Sequence, residues 1–400
     1  MFQHVDPYAG DPILSLMEDF SKDERTTKVN LSIGLYYNEQ NIVPQLNSIQ
    51  AAYTTVNAQN DKVKLYLPMD GLKPYNQATQ ALLLGENSPA RKAGRAVTVQ
   101  TLGGSGALKV GADFLKKYFP ESEVWVSQPT WENHIAIFNG AGIQSHFYPY
   151  FDAATNGVDL DGMLAELRKI PENGIVLLHP CCHNPTGADL TPAQWDQVIS
   201  VLQQGKLIPF LDIAYQGFGQ GIDEDAYAIR AMDQAGLNFI VSNSYSKIFS
   251  LYGERVGGLT FLCDDQAAAQ NVLGQLKATI RRIYSNPPTT GALLVNQVLN
   301  DADLNKTWQT ELAEMRVRIA EMRETLHAQL SAALPERDFS YLIKQQGMFS
   351  YTGLTAEQVD QLKDQYGIYM VRSGRICISG LNTKNIGYVA NAMVEILKAA

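Results

Sequence analysis

Between residues 96 and 263 short apolar runs alternate with helical patterns, and few folds are open to a chain with that rhythm. The runs at 123–126, 174–179, 207–213, 238–241 and 257–263 predict short strands. Between them, 107–118 carries apolar residues at 107, 108, 110, 114, 115 and 118, the spacing of an amphipathic helix. A second helix is predicted over 192–203, with Thr191 as N-cap and Pro192 in the first helical position. Strand and helix in alternation predict an α/β fold, a mixed, mostly parallel sheet flanked by helices. After residue 300 the rhythm changes to a long helical pattern over 304–334, short strands near 347–351 and 375–379, and a last helix from Thr383. This reads as a smaller α+β domain. The expected division is a large domain over 45–300 and a small one made of 1–44 and 301–400. The first 44 residues, rich in Asp, Pro and Gly, form an arm that joins the small domain or wraps a partner.

Bulk properties narrow the function. A chain of 400 residues can bury more than one core. Its net charge is -9, and its basic residues run no longer than pairs such as Lys116-Lys117 and Arg281-Arg282, which argues against a nucleic-acid partner. The N-terminus MFQHVDPYAGDPI is polar from its third residue and no 18-residue apolar run occurs, so a soluble, cytoplasmic protein without a membrane partner is expected. Cys181, Cys182, Cys263 and Cys377 show no C-x-x-C spacing. His179-Pro-Cys-Cys-His183 invites a metal reading, but neighbours on an extended segment point to opposite faces and no second ligand pair follows. No metal is expected, and the cysteines read as buried thiols.

Four groups of residues fall at or just after predicted strand ends, where α/β proteins place ligands. Leu102-Gly103-Gly104-Ser105-Gly106 precedes the helix predicted from Ala107, offering backbone N–H groups and the Ser105 hydroxyl to an anion. It is neither a Walker loop nor G-x-G-x-x-G, and alone it is equally a structural turn. Asp212 ends a continuously apolar strand, with Tyr215 three residues on. A buried carboxylate needs a cationic partner, either an arginine or a protonated ring nitrogen. Asn184-Pro185-Thr186-Gly187 makes a polar turn at the same edge. In SNSYSKIFSLYGERVGG, Lys247 sits just past a strand, with Ser244 and Ser246 before it and Arg255 after it. Together these ask for a ligand with a phosphate, a basic ring nitrogen, a hydrogen-bonding oxygen and an aldehyde for Lys247. Pyridoxal 5′-phosphate has all four.

The chain also resembles the class I, fold type I, aspartate and aromatic amino acid aminotransferases, and within them the aromatic-type members. The resemblance runs through nearly the whole chain, in NLSIGLYYNE, TLGGSGALKVGADFL, PTWENH, HPCCHNPTGADLT, FLDIAYQGF, SNSYSKIFSLYGERVGG, RRIYSNPP, GMFSYTGL and SGRICISGLN. It implies a homodimer with shared active sites and transfer of amino groups between aromatic or dicarboxylic amino acids and 2-oxo acids. Lys247 matches the lysine that bonds the cofactor aldehyde and carries the proton, and Asp212 the partner of the ring nitrogen. Asn184 and Tyr215 match the donors to the phenolic oxygen. Gly104, Ser105, Ser244, Ser246 and Arg255 match the phosphate cradle, joined by Tyr66 from the neighbouring subunit. Trp131 matches the residue stacked on the ring, with His134 behind Asp212. Arg375 matches the clamp on the substrate α-carboxylate, and Gly34 the backbone contact beside the substrate. Arg281 matches the arginine that reaches across the dimer to a distal carboxylate, although Arg282 beside it leaves the register open. Ser105 stands where threonine is frequent. The same resemblance admits an aspartate-preferring aminotransferase or a pyridoxal-phosphate-dependent lyase.

Overall fold

One seven-stranded sheet carries the fold: β1 (Ala96–Leu102), β2 (Val124–Gln128), β3 (Ser145–Pro149), β4 (Ile175–Leu178), β5 (Ile208–Ile213), β6 (Phe239–Ser244) and β7 (Val256–Leu262). The spatial order is β1-β7-β6-β5-β4-β2-β3. The computed structural model describes residues 1–7, 10, 12–59 and 64–399. Strands β2 to β6 are mutually parallel, and β7 runs antiparallel to both β1 and β6. The register opposes Asp212 with Ser242, Gly257 with Ser244, and Val256 with Leu102. The ends of β1, β5 and β6 and the start of β7 therefore meet at one sheet edge.

Five of the strands lie where continuous apolar runs predict them. β1 and β3 are additional, for different reasons. In β1 the buried Thr98, Gln100 and Thr101 interrupt the apolar pattern, and Thr98 is satisfied across the ladder by Thr260, their hydroxyls 2.7 Å apart. β3 lies at the sheet's edge and reads Ser-His-Phe-Tyr-Pro with only Tyr148 buried, so it has no continuous apolar run. Edge strands need only one covered face.

The helix after β1 is α1 (Gly103–Tyr118), which starts four residues before the predicted Ala107. Its first glycines are part of the helix rather than a loop before it. Gly103 has φ +65, open to glycine at little cost. Gly111 lets α1 approach the sheet, since a Cβ there would lie 2.6 Å from the ring of Phe210 in β5. α1 buries Ala107, Leu108, Val110 and Leu115 against the core that includes Val99, Phe210, Ile240 and Leu259. Farther along, α2 (Glu132–Gly140) follows β2, and α3 (Pro192–Gln204) starts as predicted, with Thr191 and Gln194 in a reciprocal capping box.

By compactness the chain forms two units, 44–317 with 345–347, and 1–43 with 318–344 and 348 onward. The change of rhythm near 300 is the start of α4 (Ala302–Ala333), and the boundary between units falls inside that helix, beyond the expected division at 300. In the second unit, Val29–Asn30 pairs with Ile368–Tyr369 in parallel, so the N-terminal segment is built into it. Phe349–Tyr351 pairs antiparallel with Arg375–Cys377, and the last helix is Ile386–Lys398, three residues beyond Thr383.

Gly257 supports the sheet edge described above. A Cβ there would lie 2.5 Å from the Asn243 carbonyl oxygen and 2.7 Å from the Gly103 carbonyl carbon, backbone atoms that cannot swing aside. Gly257→Ala should cost about 2–3 kcal/mol. A lowered urea midpoint at unchanged slope checks this, and an unchanged midpoint refutes it.

Candidate active site

Asp212 is the next-to-last residue of β5, and its carboxylate is buried at 8% exposure. Burial opposes its charge, yet its pKa is held below the usual carboxylate range because His134 and Ser242 outweigh that cost. His134 Nε2 lies 3.0 Å from Oδ2, and Ser242 Oγ donates to Oδ1 at 2.9 Å. His134 is oriented in turn by Thr130, whose Oγ1 is 2.9 Å from Nδ1. The result is an ionised carboxylate held rigidly at a strand end.

Lys247 follows β6 directly, in the turn that leads toward Arg255. Its Nζ lies 5.4 Å from the centre of the Tyr215 ring. Burial pushes its ammonium down to about 8, with the Asp212 charge opposing the shift and the Arg255 charge adding to it. The amine thus lies within the fields of a carboxylate and a guanidinium. Arg255 sits in the left-handed region at φ +50, and its Nη1 donates to Ser246 Oγ at 3.2 Å. A Cβ on Gly103 would meet the Arg255 guanidinium at 2.6 Å, and one on Gly104 would lie 3.3 Å from Ser244 Cβ. The first turn of α1, Ser244, Ser246 and Arg255 thus form one cationic, hydroxyl-lined cradle. Ser105 lies in that first turn.

The loop after β4 brings in Asn184, buried at 8% exposure, and Tyr215 is buried at 6%. Asp189 holds the loop by accepting from Cys182 N at 2.6 Å and His183 N at 2.8 Å. His179 packs against His134, ring centres 5.1 Å apart, and against His183 at 4.4 Å. Burial first, then the neighbouring His134, lowers the His179 pKa to about 3, so this imidazole is neutral beside Asp212. All four cysteines are free and buried. His134, His179 and Asp212 offer atoms close enough to hold a cation, as do Cys181, Cys182 and Asp225. In the first group the carboxylate is already committed to His134 and Ser242.

Trp131 is the N-cap of α2, its ring edge-on to His134 at 5.2 Å. Tyr66 is 91% exposed and takes no part in the cluster's hydrogen bonds. Arg281, exposed in the last turn of the helix Gln266–Ile283, donates from Nη1 to Ser285 Oγ, and Arg282 donates to Thr279 Oγ1 at 3.4 Å. In the other unit, Arg375 is 5% exposed, donates from Nη2 to Ser32 O at 2.7 Å, and lies 4.5 Å from the centre of the Phe349 ring. A Cβ on Gly34 would fall 2.8 Å from that same ring. Phe349 therefore spaces Gly34 and Arg375 together.

Three residues near Asp212 carry no role in the sequence reading: Ser242, Thr130 and His179. Ser242 had a signal, since it shares a strand face with Ser244 two residues on. Thr130 acts on His134 only four residues on, but neither residue type marks that contact, and His179 reaches His134 across 45 residues.

Residues 26–393 match the family model for aminotransferase class I and II. The chain is 61% identical to the aromatic-amino-acid aminotransferase of Escherichia coli over 397 residues, 99% of this chain and 100% of that one. Among solved structures, an aromatic amino acid aminotransferase from Psychrobacter sp. B6, cocrystallised with aspartic acid, superposes with TM-score 0.98 at 51% identity over the full length of both chains. An aromatic-amino-acid aminotransferase from Burkholderia pseudomallei, covalently bound to pyridoxal phosphate, gives 0.97 at 51% identity over 99% of each chain. The chain belongs to the class I and II aminotransferases.

The lowered pKa leaves Lys247 with a larger neutral fraction near neutrality than an ordinary lysine has. In the ligand-free chain, its acylation by an amine-directed reagent should rise with pH through about 8 and then level. A lysine model peptide should go on rising through about 10.4. Peptide mapping across pH gives the Lys247 profile, and one that follows the model peptide would refute the assignment.

Proposed function

We propose that this enzyme moves the amino group between aromatic amino acids (tyrosine, phenylalanine) or dicarboxylic ones (aspartate, glutamate) and 2-oxo acids such as 2-oxoglutarate, with pyridoxal 5′-phosphate as cofactor. The observation that carries the reading is one buried amine, Lys247, 5.4 Å from the Tyr215 ring and within the fields of an ionised Asp212 and of Arg255 in the cationic cradle. Those residues fit the cofactor's chemistry. The cradle's guanidinium, hydroxyls and helix N-terminus suit a phosphate, and the Asp212 carboxylate suits a protonated ring nitrogen. When bound, the cofactor supplies an aldehyde and an electron-accepting ring.

The chain's own groups then divide the work. Arg255, Ser244, Ser246, Ser105 and the Gly104 backbone hold the phosphate. Asp212, fixed by His134 and Ser242, keeps the ring nitrogen charged, and preorganisation of that charge lowers the barrier without rearrangement at the moment of reaction. Asn184 and Tyr215 would donate to the ring oxygen, and Trp131 would pack against the ring. Lys247, neutral in a substantial fraction near pH 8, would take the proton from the substrate α-carbon and deliver it to the carbon of the former cofactor aldehyde. Arg375 grips the α-carboxylate through paired N–H donors, beside the backbone at Gly34.

Tyr66 and Arg281 complete the site of a second copy, Tyr66 at the phosphate and Arg281 at the distal carboxylate. Leu65 and Tyr66 are 80% and 91% exposed, an apolar pair of the kind that a homodimer covers. No helix among the described residues is long and apolar enough to cross a membrane. A cytoplasmic homodimer accords with these features.

A substrate panel with 2-oxoglutarate as acceptor tests the function, with matched formation of glutamate and the new 2-oxo acid as the expected result. Release of ammonia without amino transfer would overturn it. Lys247→Ala should abolish transfer while the chain still takes up cofactor through the cradle, and a wild-type rate would remove Lys247 from its role. Asp212→Ala should likewise bind cofactor and lose most activity.

Arg281→Leu separates the substrate classes. Losing a desolvated charge pair costs about 2–5 kcal/mol, so kcat/KM for aspartate should fall by about 30-fold or more. Phenylalanine has no distal carboxylate and should change far less. Equal losses for both would make Arg281 structural, and a loss confined to Arg282→Leu would move the role to that residue.

A further inference from the structure

At the sheet edge opposite Lys247, where β5 and β6 begin and β7 ends, the structure holds a cavity of about 420 Å³. β6 separates the two places: Phe239 lines the cavity and Ser244 the cradle, a strand of six residues, roughly 17–20 Å at the usual rise. It opens to solvent past Lys206, Asn238 and Asp264, and its volume lies within the range of small-molecule sites, about 300–1,000 Å³. No residue of the Lys247 cluster lines it.

Its lining selects an occupant. Phe114, Phe119, Phe239 and Phe261 supply aromatic walls. Phe114 and Phe261 already meet edge-on, ring centres 4.9 Å apart, and such an arrangement accepts a further ring. Two opposite charges line the same cavity, Lys206 just before β5 and Asp264 just after β7. The Lys206 ammonium is 3.3 Å from Glu172, with side chains 70% and 59% exposed, and so open a pair holds its partner weakly. A carboxylate can take the place of Glu172. At the other end the exposed Asp264 carboxylate, whose Oδ1 accepts from Asn238 Nδ2 at 2.5 Å, suits a cation. Lys206 and Asp264 flank β6 from either side, about 9–10 Å apart at the backbone, and a lysine side chain spans most of that.

We propose that this cavity binds a free aromatic amino acid as its zwitterion, with the ring among the phenylalanines, the carboxylate at Lys206 and the ammonium at Asp264. The site is separate from the one at Lys247 and stands whether or not the substrate assignments there hold.

The probe is L-phenylalanine, and the protein is the holoenzyme reduced with borohydride so that the amino acid is not consumed. Equilibrium dialysis should show binding that Ala268→Trp weakens by at least tenfold, because Ala268 lines the cavity and a large side chain there fills it. Lys206→Ala and Asp264→Asn should each weaken it severalfold. Amino transfer by the unreduced variants should stay at the wild-type level, which reports the Lys247 site separately. Should Ala268→Trp fold poorly, Val272→Phe fills the same space. Absence of binding below about 10 mM, or binding equal in number and strength in the filled variants, would overturn the proposal.

Discussion

Burying the Asp212 carboxylate is the constraint around which the sheet edge is organised. An ionised carboxylate removed from water costs several kcal/mol unless hydrogen-bonded and paired. β5 delivers it to an edge, the β5–β6 register sets Ser242 opposite it, and α2 supplies His134, itself steadied by Thr130. Ser242 donates to one oxygen and His134 Nε2 lies 3.0 Å from the other, which fixes the carboxylate for a cationic ligand. The same charge opposes the downward shift of the Lys247 amine, which burial and Arg255 produce. One carboxylate thus keeps the neighbouring amine close to the pH at which it can hold or release a proton.

The antiparallel strand β7 explains how a phosphate cradle comes to lie beside this charge. In an all-parallel sheet the start of β7 would lie at the far edge from the end of β6. Reversed, it sets Arg255 and Val256 beside Leu102 and Ser244. Gly103 and Gly257 make the close approach sterically possible, one by a positive φ and the other by the absence of a side chain facing backbone. The opposite edge gathers the beginnings of β5 and β6 and is walled by phenylalanines. The two ends of a single strand, β6, accordingly present different chemistry: hydroxyls and a cationic cradle at one end, rings and a split pair of charges at the other.

Much of the fold is legible along the chain. The strands buried on both faces, such as β4 with IVLL, announce themselves as apolar runs, and α3 announces its start through Thr191 and Pro192. β1 and β3 are silent because cross-strand partners or an edge position relax the pattern. The start of α1 was hidden because glycines ordinarily oppose helix, and close packing at Gly103 and Gly111 overrides that tendency. The reading of the cluster rests on chemistry at strand ends, so Lys247, Asp212 and Arg255 stand out, whereas Thr130 and His179 do not.

By itself the sequence determined the alternating architecture, the amine, carboxylate and guanidinium that define the chemistry, and a resemblance to the aminotransferases spread over nearly the whole chain. Those are local properties, carried by residue type and short spacing. Tertiary structure alone decided that Ser242 and His134 share the Asp212 oxygens, that Lys247 lies within the fields of Asp212 and Arg255, and that four phenylalanines leave a cavity at the far sheet edge. Each depends on register and on packing, most of it between residues tens of positions apart. Pair distances of that kind, and the burial that sets a pKa, have no counterpart in the linear order of residues.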